Sequence, residues 1–150
     1  AFASANIVPE TVLGRRDHSP VFRYPYADAV RALEHAPRSA DGARRVRYVN
    51  PLSGAGAMPM LDTAMLQLDA GSPTLPARSS ANLVVTVVEG RGESRIGEQT
   101  IAWGPRDTFT IPQHNWAAHH ASVDARLFVV SDADVLRRLG LLTEEVKAAD

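Results

Sequence analysis

Along the chain, the period of apolar and polar positions changes once, near residue 42. Before that point, Tyr26, Val30 and Leu33 recur at spacings of four and three, which lines one face of a helix. Pro37 ends that helix near residue 36, because a proline disfavours helical backbone in the residue before it. Residues 1–20 carry few periodic apolar positions and read as an arm, with Pro20 and Pro25 flanking an extended VFRY. APRSADG, residues 36–42, is a loop.

After Gly42, short β-rich runs alternate with turns. The runs are VRYV (46–49), LDTAMLQL (61–68), LVVTVV (83–88), ESRI (93–96), QTIA (99–102), TFTI (108–111) and ARLFVV (125–130). Between them lie Asn50-Pro51, Asp69-Ala70-Gly71, Gly90-Arg91-Gly92, Gly97-Glu98 and Gly104-Pro105. Turns at this density predict an antiparallel sandwich or barrel. In TFTI, Phe109 and Ile111 face inward and the threonines outward. LVVTVV is apolar except at Thr86, which predicts a strand covered on both faces. Asp132 or Asp134 caps a short helix over Val135, Leu136 and Leu139, closed by Gly140. Thr143, Glu144 and Glu145 start a last, frayed helix.

Composition narrows the class. A chain of 150 residues makes one domain, and 45% hydrophobic with 22% charged residues excludes collagen-like, coiled-coil and wholly disordered chains. There is no apolar run of about 18 residues, so no membrane span is predicted. AFASANIVPE shows no basic region followed by an apolar stretch, so no signal peptide is expected. A net charge of −1 favours neither nucleic acid nor an anionic membrane as partner. Arg44, Arg45 and Arg47 form a local basic cluster, read as a solvated face. The absence of cysteine removes disulfides, thiolate nucleophiles and Cys-ligated metals, and fits a cytoplasmic protein.

Few residues can carry chemistry. His18 in the arm and His35 on the polar side of the first helix are expected at the surface. His114, His119 and His120 cluster after Pro112, and imidazole suits iron or copper. On a strand, residues 119 and 120 point to opposite faces, so they cannot both ligate one ion. The rest of an open iron site, one carboxylate with two or three His, is not found nearby. Ser79 and Ser80 lack a nucleophile-elbow glycine pattern and read as turn or strand-edge serines. Trp103 and Trp116 are core or pocket aromatics. Arg78, if it points into a barrel, must be paired or bind an anion.

These residues fall in a recognisable order. Gly71, five residues, then Ala77-Arg78-Ser79, LVVTVVEGRGESRIG and later WGPRDTFTIPQHNWAAHH resemble the two motifs of the cupin superfamily. SPVFRYPYADAVRAL (19–33), RYVNPLSG (47–54), LQLDAG (66–71) and LFVVSDADVLRRLGL (127–141) resemble, more narrowly, the C-terminal cupin domain of gentisate 1,2-dioxygenase and the related salicylate and hydroxynaphthoate ring-cleaving enzymes.

The resemblance implies a mainly all-β chain. The expected fold is a cupin-type double-stranded β-helix, or jelly-roll barrel, with an N-terminal arm and helix and short C-terminal helices. It sets an arm or linker at residues 1–18, a cupin domain at 19–145 and a tail at 146–150. It also implies a chain about twice as long, whose N-terminal cupin holds Fe(II) on three His and inserts O2 into the ring.

The metal-binding cupin pattern has His at both ends of the first triplet, where this chain has Ala77 and Ser79, and a third His where it has Ala117. The acidic ligand position falls near Asn82 or Leu83. These are vacated metal positions, so neither a metal, a cofactor nor a catalytic residue is expected in this domain. Arg78, Ser79, Trp116 and His119 are the candidate pocket residues.

The leading expectation is therefore a structural and oligomerising cupin, partnered by an N-terminal catalytic cupin. Two other readings remain open. One is a free-standing module binding a small aromatic acid through Arg78 or His119. The other is an active dioxygenase with an unusual site from His114, His119 and His120.

Overall fold

The computed structural model describes residues 19–148; the arm expected at residues 1–18 lies outside them. Helix α1 (Tyr26–His35) precedes strands β1 (Arg44–Arg47), β2 (Asp62–Leu68), β3 (Ala77–Ser79), β4 (Leu83–Ile96), β5 (Gln99–Trp103), β6 (Thr108–Ile111) and β7 (Ala117–Ser131). Helix α2 (Ala133–Arg138) and strand β8 (Glu144–Val146) follow. The mainly all-β class and the first helix are as expected. No helix among the described residues is long and apolar enough to cross a membrane.

Two long strands organise the barrel. β4 and β7 pair antiparallel from Leu83↔Ser131 to Ile96↔Ala117. The free edge of β4 takes β6 along residues 83–86 and β5 along residues 92–96. The free edge of β7 takes β2, which carries β1, and at Ala117 it takes β3, which carries β8.

The Gly90-Arg91-Gly92 segment is therefore not a turn between two strands, as expected, but a bulged stretch inside one. The register slips there three times, between Val87 and Gly92. Such slips bend a strand and raise its twist, which lets a long pair curl into a barrel. Only glycine fits: a Cβ on Gly90 (φ +92°) would sit 2.5 Å from the Ala125 Cα, and one on Gly92 would sit 2.3 Å from the His120 carbonyl oxygen.

β7 starts eight residues before the expected run at 125. Its interior face is Ala117, His119, Ala121, Ala125 and Leu127, all buried, while His120 is exposed. Small side chains there leave room for the larger residues opposite, Leu66, Leu68, Val85, Val87 and Trp103. Phe109 and Ile111 join this core as expected. The prediction that LVVTVV is covered on both faces fails: Val85 and Val87 are buried, but Val84 is 43% and Val88 38% exposed. A second, smaller cluster lies on the outer face of the sheet, where Ala29 and Leu33 of α1 pack on Met65.

The expected last helix is a strand. Ser80 explains this. Its backbone N–H donates to the Thr143 carbonyl (3.0 Å), its hydroxyl donates to the Leu141 carbonyl (3.0 Å) and accepts the Thr143 N–H (2.9 Å). Residues 141–143 are thereby held alongside β3, and β8 runs one residue past the expected domain boundary at 145.

In α2, Gly140 closes the helix at φ +69°, with Leu141 N–H bonded to Leu136 and Gly140 N–H to Arg137. Asp132 holds the N-cap position, one of the two expected, but its side chain makes no capping hydrogen bond. Asp132 accepts the Asn82 backbone N–H (2.8 Å) and amide (3.0 Å), and buried Asp134 pairs with Arg137 and Arg138. Leu139, expected on the apolar face, is 66% exposed. The basic cluster is also more than a solvated face. Arg47 pairs with Asp62 and Asp134, and Arg45 pairs with Asp41.

If the bulge sets the curl, Gly90→Ala and Gly92→Ala each destabilise the fold by about 2 kcal/mol or more, the scale of local backbone strain. Val123→Ala, at a 55% exposed position, changes stability by less than about 0.5 kcal/mol. Urea denaturation of the three variants measures the difference.

Candidate functional site

The β3–β7 contact is a single register pair, Ala77↔Ala117. Ala77 and Ser79 from β3, and Ala117 and His119 from β7, line one cavity of about 360 Å³. The loop before β1 and β1 itself bring Asp41 and Arg45 to its wall, and Glu145 of β8 stands at its mouth. The three positions read as vacated metal sites thus share one space with three of the four candidate pocket residues, Arg78, Ser79 and His119.

Arg78 also lines the cavity, but it is not a buried cation. Its guanidinium is held by Glu145 (Nε to Oε2, 2.9 Å) and lies 4.7 Å over the Trp116 ring. Trp116, expected in the pocket, does not line it. Its ring carries Arg78 and, also at 4.7 Å, the Lys147 ammonium. Trp103 is core, 4% exposed. His114 is exposed in a turn at φ +64°, with its N–H on the Ser79 carbonyl. His114, His119 and His120 are therefore not brought together. Among the described residues there is no group of three or more His, Cys, Asp or Glu that could hold a metal ion.

His119 is the buried imidazole, 8% exposed. Ser94 is its register partner on β4, and the Ser94 Oγ lies 2.7 Å from Nδ1. Trp103 Nε1–H donates to the same Oγ at 2.8 Å. Ser94 is fully buried, and among the described residues its hydroxyl hydrogen has no acceptor in reach other than Nδ1. An unsatisfied buried hydroxyl costs about 1–3 kcal/mol. The hydroxyl therefore donates to Nδ1, and the imidazole carries its own hydrogen on Nε2.

Burial, then the charge of Arg45, push the His119 pKa down to about 4, against an opposing pull from Asp41. Burial alone would raise the Asp41 carboxyl. The hydrogen bonds and charge of Arg45, with the Ala43 N–H, overcome that and hold it below its ordinary value.

The residues present do not fit a ferrous ion. Ala77 and Ala117 have no donor atom, and the Ser79 hydroxyl already accepts the Ala81 N–H at 3.0 Å. An open non-haem iron site takes two His and a carboxylate. Freeing Nε2 of His119 as a ligand would move its hydrogen to Nδ1 and strand the Ser94 hydroxyl.

Sequence reasoning missed Ser94, Asp41 and Arg45. Ser94 had a signal: it shares strand parity with apolar Ile96, so a polar group was due inside. Asp41 and Arg45 had none beyond their separation of four residues.

An antiparallel barrel curled around a cavity at one end, flanked by a helix, defines a cupin. A cupin 2 domain-containing protein of Halorhodospira halophila matches 67% of this chain and 70% of its own at a TM-score of 0.55 and 26% identity. The likeness is closer to ring-cleaving dioxygenases. Gentisate 1,2-dioxygenase 1 of Aquipseudomonas alcaligenes is 34% identical over 144 residues, 93% of this chain and 42% of its own length. The crystal structure of salicylate 1,2-dioxygenase from Pseudaminobacter salicylatoxidans superposes on 97% of this chain and 44% of its own, with a TM-score of 0.81 and 27% identity. No family model matches the chain. The chain is thus similar to gentisate 1,2-dioxygenases and matches their C-terminal cupin part. It spans less than half the length of these dioxygenases.

The neutral state of His119 predicts a pH dependence of stability. Its ordinary pKa of about 6.5 applies to the unfolded chain, which binds the proton first on acidification. The stabilisation is complete above pH ~6.5 and is lost as the pH falls through about 4. Over that window, His119→Gln loses less stability than the parent chain, by a difference on the order of 3 kcal/mol. Urea melts at several pH values between those limits measure it.

Proposed function

We propose that this chain is the C-terminal, metal-free cupin of a gentisate-type ring-cleaving dioxygenase. By itself it has no catalytic residue. It supports an N-terminal catalytic cupin, in which Fe(II) and O2 chemistry take place, and it helps to build the oligomer. One observation carries the reading. The three positions where the family resemblance calls for imidazoles are Ala77, Ser79 and Ala117, and all three line one cavity. The remaining imidazole, His119, is committed through Nδ1 to the Ser94 hydroxyl. The length of the relatives, more than twice the matched span, supports an additional domain. Fold alone does not assign activity, and the lost donors weigh against it here.

Metal analysis and a ring-cleavage assay test the proposal on the same sample. The chain produced in iron-replete medium is expected to carry far less than one iron per molecule and to leave gentisate and salicylate unchanged under O2. Stoichiometric iron, or turnover of either acid by this chain alone, would overturn the proposal.

A further inference from the structure

Exposed apolar surface is unevenly spread over the chain. More than half of the large apolar side chains left exposed belong to two stretches, 21–26 and 49–61. They are Val21, Phe22, Leu52, Met58, Met60 and Leu61, together with Tyr26 and Val49. Single exposed apolar residues are ordinary, whereas a concentration of them marks an interaction site. We propose that this patch is the face through which two copies of the chain associate about a two-fold axis. The inference rests on the oligomer-building role above and deepens it by naming the surface.

The two stretches are bonded to each other. The Tyr24 hydroxyl donates to the Val49 carbonyl at 2.8 Å, and the Ser19 N–H donates to the Ala57 carbonyl at 3.1 Å. A bridge between Val49 and Gly56 folds the second stretch into a loop. Buried Asn50 fixes its tip: the side chain accepts the Leu52 N–H (3.0 Å) and the carbonyl accepts the Gly54 N–H (2.8 Å). Phe22 is 96% and Leu52 82% exposed. Side chains held out on anchored backbone need little further ordering when a partner covers them.

Charge selects the partner. Residues 49–61, VNPLSGAGAMPML, hold no charged side chain, in a chain where 22% of residues are charged. The charges next in sequence are Arg23 on one side and Asp62, held by Arg47 and Arg137, on the other. The patch therefore offers little to attract nucleic acid or a charged peptide. Set against its own copy, it brings no cluster of like charges together. Depletion of charge with Phe, Tyr and Met present is also the composition of an interface core. A face that matches itself gives the closed, isologous arrangement of most dimers.

Size agrees. Counting roughly 150–200 Å² for a fully exposed large side chain, these residues expose on the order of 800 Å². The largest patch on a typical monomer is about 300–600 Å². A stable interface covers about 800 Å² on each partner.

Sedimentation velocity of the intact chain across the micromolar range tests the inference, beside the metal analysis above. A two-chain species is expected. Phe22→Glu and Leu52→Glu should each weaken it about tenfold or more. Val123→Glu, at an exposed position outside the patch, should leave it unchanged. Both patch positions are exposed, so the variants should keep the circular dichroism of the parent; Phe22→Ser and Leu52→Ser replace any that does not. A parent chain that stays monomeric would overturn the inference and assign the patch to a different domain of a longer chain. A dimer that survives both substitutions would overturn the assignment to this surface and leave the oligomer-building role standing. Iron or ring cleavage in the same sample would instead overturn the metal-free reading.

Discussion

The register between β4 and β7 decides what the cavity can do. Three slips around Gly90 and Gly92 set it, and beyond them Ser94 stands opposite His119 and Ile96 opposite Ala117. One residue of further slip would reverse the faces of every side chain past the bulge. His119 would then point to solvent and His120 into the barrel. The Ser94 contact would be lost, and with it the tautomer that makes His119 a donor. The geometry of the site thus follows from two glycines whose missing Cβ atoms allow β4 to pass the Ala125 backbone and the His120 carbonyl.

The side chains around the cavity also differ from those an iron site asks for. An ion needs several bare donors converging on one point. Here the converging positions on β3 and β7 carry two methyl groups and a hydroxyl, and the one imidazole turns an N–H toward them. Relatives that share the fold include gentisate and salicylate 1,2-dioxygenases, and this chain matches less than half of their length. The charged groups that line the same cavity, Arg45 with Asp41 and Arg78 with Glu145, are paired in the structure rather than free to bind a cation.

Much of the fold was legible in the sequence because its strands announce themselves by alternation, as in TFTI, or by turn residues on either side. The misreadings have physical causes. Glycine serves turns and bulges alike, so Gly90-Arg91-Gly92 gave no hint of which it was. The first half of β7, AAHHASVD, is built of residues with little β-propensity and becomes a strand through its partners. β8 exists because Ser80, far away in sequence, engages the backbone of residues 141 and 143. At the site, Ala77, Ala117 and His119 reached one cavity. Trp116 did not, because a ring that carries two cations is outside the reach of strand parity.

Nitrogen NMR of the His119 ring in the intact chain at neutral pH tests the account most directly. It predicts a hydrogen on Nε2 and a bare Nδ1 accepting from Ser94. A hydrogen on Nδ1 with a bare Nε2 turned to the cavity would contradict it, since that is the state in which an imidazole can ligate a metal.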